Sequence, residues 1–326
     1  MKSENILITG ITGQDGIFLT SSLIEMNKKA NIYGISRDKS STFINKINKF
    51  NQNLTTENIH IVNTDLRDKK QVFNIIEDIK PSQIYNLTGP SSVYESINKA
   101  DFYRKSIPNM FNNLTESCIE LRLFPSFFQA SSSETFDKNN TIPLNENSSF
   151  NPRTPYAEAK YEVYNSVRAL RETYDWNIKA GIMFNHESEY REQGYLFSKI
   201  IDSAIKIKNN QLDKLTVGSL SYIRDWSFAG DVADAIMSMN FSSNSDDFVI
   251  GSGLGTSIEE LLNITFSEFN LDYNKYVVVD SSLLRIGDPQ KIISDPTNLK
   301  NKTGWYPKLN IQQLIERCIS FKLNKP

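Results

Sequence analysis

Residues 6–16 read ILITGITGQDG, a short β-branched run that leads into three glycines, Gly10, Gly13 and Gly16. Glycines spaced in this way between a strand and a helix let the backbone turn tightly and let a phosphate approach the helix N-terminus. The segment therefore predicts a first strand, a first helix and a dinucleotide-binding turn, in which Gln14 and Asp15 are also expected to contact the cofactor. Taken alone, the same glycines could serve packing only.

Outward from this turn, short apolar runs alternate with longer amphipathic segments through the first half of the chain. Strands are predicted at 5–9, 31–36, 59–63, 83–87, 126–130 and 178–183, and helices at 15–27, 69–79, about 107–121 and around Tyr156. Such alternation is typical of a parallel sheet that is covered on both faces. The sequence therefore predicts an α/β fold with a Rossmann-type doubly wound parallel sheet.

The second half has a weaker pattern, with helices predicted at 197–208, 257–270 and 311–323 and extended segments at 215–217, 248–251 and 276–280. Polar composition predicts loops at 38–57 and 139–153. We expect residues 1–184 to form the cofactor-binding domain, with 228–251 returning to it. Residues 185–227 and 252–326 are expected to form a smaller, mixed α/β C-terminal substrate lobe.

The charge balance and the cysteines exclude several classes of protein. The 36 Lys and Arg residues nearly match the 38 Asp and Glu residues, for a net charge of −2, so neither a nucleic acid nor a membrane is predicted as a partner. Two separated cysteines, Cys118 and Cys318, suit a reducing compartment, and a cytoplasmic location is expected. The two histidines, His60 and His186, are not clustered with cysteines, so no metal site is predicted.

Residues 151–160, NPRTPYAEAK, place Tyr156 four residues ahead of Lys160. On a helix this spacing puts both side chains on one face, where an ammonium favours the phenolate. The run 129–135, QASSSET, leaves a predicted strand beside that helix and should aim Ser132 and Glu134 at the same place. Hydroxyl, phenol and amine suit hydride and proton transfer, and Glu134 adds a base that a plain dehydrogenase does not need.

The end of the second predicted strand bears on the choice of cofactor. Arg37 stands where an acidic residue would bind the ribose of NAD, and it favours the 2′-phosphate of NADP, although the neighbouring Asp38 keeps NAD possible. Asp65 either accepts from the adenine amino group or caps the helix that follows it. The expected cofactor-binding set is completed by Leu66, Leu87, Tyr156 and Lys160.

Several segments together resemble the GDP-mannose 4,6-dehydratase family, which belongs to the extended short-chain dehydrogenases/reductases. They are residues 10–16 (GITGQDG), 85–87 (YNL), 129–131 (QAS) with Glu134, Tyr156 with Lys160, 183–188 (MFNHES), 224–226 (RDW), 295–297 (DPT) and 304–305 (GW). The likeness runs through nearly the whole chain. The segments FNHES and RDW are specific to this subgroup, whereas the glycine and Tyr/Lys motifs mark the superfamily.

The resemblance implies a redox-neutral reaction on a GDP-linked sugar. A hydride would leave C4 for NADP, Glu134 would take the C5 proton, water would depart from C6, and the hydride would return to C6. The product would be a 4-keto-6-deoxy sugar. The resemblance further implies a homo-oligomer, a dimer or a tetramer, in which residues 38–50 could reach a neighbour's cofactor.

By matching position, the resemblance also implies a set of substrate-binding residues. The nucleotide diphosphate would be held by Asn185, Lys199 and Arg285, a phosphate or ribose by Arg224, and the ribose by Asp288. Arg191 remains from a pair of arginines that is usual in the family, and His186 is expected to be structural. Two phosphates in a nearly neutral protein require such locally concentrated cations.

The chain departs from the family pattern near the expected sugar. Residues 189–192 read EYRE, residues 90–92 read PSS where Gln-Ser-His is usual, and Ser132 replaces a threonine. A bulkier or differently configured ring would require changes at such wall positions. GDP-N-acetylglucosamine and GDP-heptose are therefore candidates beside GDP-mannose.

Two other functions compete with a GDP-sugar 4,6-dehydratase. One is a GDP-sugar C4 dehydrogenase or epimerase on the same scaffold, which Glu134 disfavours. The other is a non-catalytic nucleotide sensor, which would need none of Ser132, Tyr156 and Lys160.

Overall fold

The computed structural model describes residues 4–37, 40–51, 54, 56–241, 245–284 and 288–324. Its centre is a seven-stranded sheet with the order β10-β6-β5-β4-β1-β2-β3, in which every neighbouring pair is parallel. The strands are β1 (Asn5–Thr9), β2 (Asn31–Ser36), β3 (Ile59–Asn63), β4 (Gln83–Asn86), β5 (Ser126–Ser132), β6 (Ile178–Met183) and β10 (Phe248–Ile250). The predicted doubly wound α/β fold is confirmed.

Helices cover both faces of this sheet. They are α1 (Gln14–Met26), α2 (Ser40–Phe50), α3 (Lys69–Ile79), α4 (Val93–Asn98), α5 (Ala100–Glu120), α6 (Pro155–Tyr174) and α8 (Ala229–Phe241). Alternate side chains of one strand enter different cores, because Ile6 and Ile8 pack with the α1 side and Leu7 packs with the side of α3, α5 and α6. Burial on both faces explains the nearly continuous apolar strands.

Smaller elements form a second layer beside the carboxyl ends of these strands. Its strands are β7 (Asn185–Glu187), β8 (Leu215–Val217), β9 (Ile223–Phe228), β11 (Gly255–Ser257), β12 (Val277–Val279) and β13 (Lys291–Ile292), and its helices are α7 (Leu196–Lys208), α9 (Ile258–Ser267) and α11 (Ile311–Leu323). Helix α10 (Thr297–Thr303) packs instead against β10 and α8 of the large sheet. Strand β9 is the hub, since β7, β11 and β13 all pair with it.

Two predictions of local structure were wrong. Residues 40–50 lie in α2 and not in a loop, because Phe43 and Ile47, four residues apart, are both fully buried in the core on the α1 side. Helix α5 begins at Ala100, well before the predicted start near 107, and continues through Pro108. A proline in a helix costs one backbone hydrogen bond, which the packing of this long helix evidently offsets.

Among the described residues, no helix combines the length and the apolarity needed to cross a bilayer. Cys118 and Cys318 are both buried free thiols. In the same part of the chain, no group of three or more His, Cys, Asp or Glu side chains is arranged to hold a metal ion.

Candidate active site

The glycine turn joins β1 to α1 at the point where the strand order of the large sheet reverses. Gly10 has φ +71°, in the left-handed region that favours glycine, and its Cβ would lie 3.2 Å from the backbone of Leu87. At Gly16 a Cβ would lie 2.4 Å from the carbonyl oxygen of Ile11. Gly13 is the N-cap of α1 and supplies no side-chain cap, so the N–H groups of the first turn can meet an anion. This cradle fits a pyrophosphate.

The end of β2 and the loop after β3 place three charged residues together. Asp65 pairs with Arg67, which is the main reason that the pKa of the carboxyl is lowered to about 2, and the charge of Arg37 makes a smaller contribution in the same direction. The alternative that Asp65 caps the next helix is wrong, because Asp68 is the N-cap of α3 and accepts from the Gln71 N–H. Arg37 is exposed, and Asp38 lies outside the described residues.

Leu66 and Leu87 flank the same edge of the sheet. Leu66 is buried, and its carbonyl accepts from the Asn113 side chain at 2.8 Å. The Leu87 N–H donates to Thr9 O at 3.3 Å. A further cation, Lys46 on α2, donates to the carbonyl of Thr12 at 3.4 Å. The sequence carried no signal for Lys46, because its helix was not predicted.

Ser132, Glu134 and Tyr156 converge where β5 ends. Burial raises the pKa of the Tyr156 phenol to about 12, a side-chain hydrogen bond with Ser132 lowers it, and the charge of Glu134 raises it. Glu134 lies in the single 3-10 turn Ser133–Thr135, directly after the strand, and is partly exposed, whereas Ser132 and Tyr156 are buried. Thr154 begins the Tyr156 helix by accepting from the Ala157 N–H. The phenol, the hydroxyl and the carboxylate thus lie close together at the carboxyl end of β5.

Lys160 lies one helical turn beyond Tyr156, with Nζ 5.9 Å from the centre of the phenol ring. It is buried and donates to the carbonyl of Ala130 at 2.9 Å. Burial lowers the pKa of Lys160 to about 8, and the Asp15 carboxylate opposes this effect. The predicted placement on one helix face is therefore present in the structure.

A chain of buried hydrogen bonds leads to the carbonyl that Lys160 contacts. The sequence did not indicate this chain. Thr9 Oγ1 donates to Asn86 Oδ1 at 2.6 Å, and Asn86 Nδ2 donates to Gln129 Oε1 at 2.7 Å. Gln129 Nε2 donates at 2.9 Å to the Ala130 carbonyl, which also accepts from Lys160. The chain joins the ends of β1, β4 and β5 to the amine.

Gln14 and Asp15, both predicted to bind the cofactor, contact the segment that follows β6. Gln14 Nε2 donates to His186 O at 2.9 Å, and Ser188 Oγ donates to Gln14 Oε1 at 2.9 Å. The Asp15 carboxylate lies 3.1 Å from His186 Nε2. These contacts connect the GQDG and FNHES motifs, which are far apart in sequence.

Arg191 belongs to the surroundings of Tyr156. Its guanidinium lies 3.6 Å from the centre of the Tyr195 ring, and its Nε lies 3.3 Å from a carboxylate oxygen of the buried Glu187. Tyr195 and Ser91 have their hydroxyl oxygens 2.8 Å apart, which joins the loop after β4 to the start of α7. Tyr195 raises the pKa of the Tyr156 phenol, and the positive charge of Arg191 lowers it. Tyr195 had not been predicted as a site residue, whereas Ser91 belongs to residues 90–92, which were expected near the sugar.

The other candidate substrate residues lie in the second layer. Arg224 on β9 pairs with Asp288 at 3.0 Å, so these two predicted residues are brought together as an ion pair. Arg285 lies outside the described residues. Asn185 on β7 pairs in register with Trp226 of β9 and is exposed, and Lys199 near the start of α7 is exposed and donates to Thr216 O at 2.8 Å.

The comparisons with known proteins agree over nearly the whole chain. A family model described as GDP-mannose 4,6 dehydratase matches residues 7–318. GDP-mannose 4,6 dehydratase of Homo sapiens is 32% identical over 342 residues, which cover 98% of this chain and 91% of that protein. GDP-mannose 4,6 dehydratase 2 of Arabidopsis thaliana is 31% identical over 322 residues, which cover 96% of this chain and 85% of that protein.

Solved structures with the same fold include a UDP-glucose 4-epimerase of Thermotoga maritima with UDP-glucose, at a TM-score of 0.84 and 20% identity, covering 98% of each chain. The dTDP-glucose 4,6-dehydratase of Bacillus anthracis in complex with NAD has a TM-score of 0.83 at 17% identity, covering 99% of this chain and 97% of the other. RMD of Pseudomonas aeruginosa complexed with NADPH has a TM-score of 0.81 at 18% identity, covering 98% and 97%. At these identities the likeness shows the fold.

Proposed function

The chain belongs to the GDP-mannose 4,6-dehydratase family, and from this premise we propose that it converts a GDP-linked sugar into the 4-keto-6-deoxy product by loss of water. The candidate substrates are GDP-mannose, GDP-N-acetylglucosamine and GDP-heptose. The observation that carries the proposal is the convergence of Ser132, Glu134 and Tyr156 at one end of the large sheet in a chain of this family. A plain dehydrogenase needs the hydroxyl and the phenol but not the carboxylate.

The residues around the glycine turn fit a dinucleotide, and we assign NADP, with NAD as the alternative. The uncapped start of α1 and the cradle of Gly10, Gly13 and Gly16 would take the pyrophosphate. Arg37 would meet a 2′-phosphate, and Lys160 would hydrogen-bond the nicotinamide ribose. When bound, the nicotinamide supplies a hydride acceptor for C4 and returns that hydride to C6.

Tyr156 is assigned as the group that takes the proton from the C4 hydroxyl, with Ser132 sharing the hydrogen bond. Because burial raises the pKa of the phenol to about 12, the phenolate must be favoured from nearby. The Lys160 ammonium, 5.9 Å from the ring, supplies a positive charge for this purpose. Ser132 completes the arrangement by donating to the developing oxyanion.

Glu134 is assigned to the elimination. Once C4 is a carbonyl, the C5 proton is acidic, and the Glu134 carboxylate would remove it. The C6–O bond then breaks, and the proton on Glu134 leaves with the C6 hydroxyl as water. The return of the hydride to C6 is matched by a proton taken up at C5, which balances the proton that Tyr156 removed from the C4 hydroxyl. Glu134 lies in a turn that begins at the end of β5, so its backbone is set by a buried strand.

The guanosine diphosphate end is assigned to the second layer. Arg191 and Lys199 would meet the phosphates, with Asn185 beside them, and the ion pair of Arg224 with Asp288 would meet a phosphate and the ribose. Arg285, from the sequence pattern, would complete the diphosphate site. A cytoplasmic location and a homo-oligomer, as dimer or tetramer, remain predictions.

The test is incubation of the NADP-loaded protein with GDP-mannose, GDP-N-acetylglucosamine and a GDP-heptose, followed by mass spectrometry. We expect at least one of them to lose one water, with no net change in nicotinamide absorbance. UDP-N-acetylglucosamine is the matched control for GDP-N-acetylglucosamine and should stay unchanged, because the two differ only in the base.

Other products would contradict the proposal and identify a different activity. Steady accumulation of NADPH would identify a C4 dehydrogenase, and a product of unchanged mass with an inverted centre would identify an epimerase. No reaction with any of the GDP-sugars would contradict catalysis on this substrate class.

A further inference from the structure

Asp15 and His186 form a partly buried pair between the first turn of α1 and β7. His186 Nε2 lies 3.1 Å and 3.2 Å from the two carboxylate oxygens of Asp15. We infer that this is a charged pair of positioning residues that act on Lys160 through their charges: the Asp15 carboxylate favours the ammonium, and the His186 imidazolium opposes that effect. The inference rests on the proposed function, in which Lys160 must be charged beside Tyr156.

The charge on His186 follows from its hydrogen-bond partners. Its Nδ1 lies 2.7 Å from the carbonyl oxygen of Phe184, which can only accept. Its Nε2 faces the Asp15 carboxylate, which also accepts when ionised. Both ring nitrogens must then carry a proton, so the ring is an imidazolium and Asp15 is its counter-ion. Burial alone would lower the pKa of His186, but the Asp15 carboxylate raises it above the ordinary value.

Asp15 also acts on the catalytic amine. Burial opposes its ionisation, yet His186, Arg191 and Lys160 together lower the pKa of the carboxyl below its ordinary value. In return, the Asp15 carboxylate raises the pKa of Lys160, against the larger effect of burial. Glu187, on the same strand as His186, faces Arg191. The charges thus alternate in sign from Lys160 through Asp15 to His186, whereas burial raises the pKa of Glu187 and Arg191 opposes that rise.

The backbone around the pair is tied on both sides, so the geometry is not that of two loose side chains. Gln14, the neighbour of Asp15, donates to the His186 carbonyl at 2.9 Å. Ser188 donates to the Gln14 side chain at 2.9 Å and accepts from the Tyr190 N–H at 3.1 Å. A shift of β7 against α1 would break these bonds together.

This arrangement predicts shifts of opposite sign in the ionisation of Lys160. Asp15→Asn removes the favourable charge, so the Lys160 ammonium should lose its proton about one pH unit lower. His186→Gln removes a repulsive positive charge and leaves Asp15 in place, so the proton should be lost at higher pH. A purely structural role would damage both variants without giving opposite shifts.

Competitive acetylation of the full chain with acetic anhydride, with and without NADP, measures the ionisation of Lys160 by peptide mass spectrometry across pH. The alkaline limb of the turnover profile with the active GDP-sugar should move in the same directions. Asp15→Glu should restore the wild-type profile. Glu25→Gln, at the other end of α1, removes one negative charge as Asp15→Asn does and is the control. It should leave the ionisation of Lys160 and the turnover profile unchanged.

Histidine-selective NMR tests the pair without any sugar. The chain has two histidines, so His186→Gln assigns both signals. We expect His186 to stay doubly protonated above the ordinary pKa of an imidazole, and Asp15→Asn to abolish this rise. A neutral His186 ring at pH 7 in the wild-type protein would overturn the charged pair.

The outcomes separate this inference from the proposed function. Normal loss of water with shifts of equal sign, or with no shift, in the two variants overturns the inference alone. Opposite shifts in acetylation without reaction on any GDP-sugar leave the inference standing and contradict the function. If Asp15→Asn does not fold, the upward shift in His186→Gln decides by itself.

Discussion

Individual residues at the site have conflicting electrostatic demands. Tyr156 must lose its proton easily, yet burial raises the pKa of its phenol to about 12. Lys160 must keep its proton, yet burial lowers the pKa of its amine to about 8. Because the two lie on one helix face, the ammonium stabilises the phenolate and the phenolate stabilises the ammonium. Each charge thus offsets the effect of burial on the pKa of the other group.

Glu134 separates elimination from oxidation. With Glu134→Gln we expect loss of water to fall on the order of a hundredfold or more, because the amide cannot take the C5 proton. Oxidation at C4 should still occur, since Ser132 and Tyr156 remain. The measurement is single-turnover absorbance of the reduced nicotinamide, together with mass spectrometry of the sugar.

Tyr156→Phe is the matched control for this experiment. It should suppress the absorbance signal as well, because the C4 proton has no acceptor. Unchanged formation of the dehydrated product by Glu134→Gln would remove that carboxylate from the mechanism.

At the residue scale, local spacing predicted what lies on one element and missed what depends on the fold. Tyr156 and Lys160 could be placed together because they are one helical turn apart. Asp15 and His186 are 171 residues apart, and only the packing of α1 against β7 brings them into contact. His186 was expected to be structural and Asp15 to contact the cofactor, and nothing in the spacing indicated their pairing.

At the scale of elements, two glycines in the turn from β1 into α1 are expected to have different roles. Gly16 is needed for packing, and Gly13 is needed for cofactor binding. Gly16→Ala should destabilise the fold by about 2 to 3 kcal/mol, because a Cβ there would meet the Ile11 carbonyl oxygen at 2.4 Å. Gly13→Ala should leave the stability nearly unchanged, since the nearest atom, Gly10 O, is 3.3 Å away and φ is −75°. Gly13→Ala should instead weaken NADP binding about tenfold, because the methyl group stands where the pyrophosphate approaches.

Urea unfolding without cofactor and NADP titration measure the two effects separately. The expected pattern is a lower unfolding midpoint for Gly16→Ala and a lower affinity with an unchanged midpoint for Gly13→Ala. Equal stability losses in both variants would mean that the turn is a packing feature alone, which is the other explanation of these glycines.

Whole elements were predicted correctly where the burial pattern of the element matches its sequence pattern. Strands β1, β2 and β6 were predicted to the residue, because both of their faces are covered and their apolar runs end at polar turns. Helix α2 was missed, because its apolar side chains stand among many Asn, Lys and Ser residues. Strand β9 was missed since its segment, IRDWSF, has charged residues in its middle, and only its pairing with β7, β11 and β13 makes it a strand.

At the scale of the whole molecule, the site lies where the large sheet meets the second layer. Buried charged side chains join the segments that meet there. Asp225 of β9 illustrates this, since it accepts from the backbone N–H groups of Ser252, Gly253 and Ser294 at 2.8 to 3.1 Å. The sequence identified RDW as a motif but could not indicate that its aspartate organises loops near residues 252 and 294. Such contacts join segments that are distant in sequence.

Burying the Lys160 ammonium should cost the molecule stability. The pKa of Lys160 falls from 10.5 to about 8 on folding, so the folded chain favours the neutral amine. Below pH 8 the folded chain must bury a charge that the unfolded chain leaves in water, and Lys160→Met removes that cost. The Ala130 carbonyl still accepts from Gln129 in the variant. We therefore expect a gain of about 1 to 3 kcal/mol at pH 7, with loss of turnover.

The pH dependence gives the sign of this effect. Between pH 8 and 10.5 the unfolded chain binds more protons at Lys160 than the folded chain, so wild-type stability gains on the variant as pH rises. The advantage of Lys160→Met in urea unfolding should accordingly be largest below pH 8 and shrink toward pH 10.5. Lys70→Met, at an exposed position of α3, is the control and should change little at any pH. A Lys160→Met protein that is less stable than wild type at pH 7 would show that the ammonium stabilises the fold through Asp15 more than its burial costs.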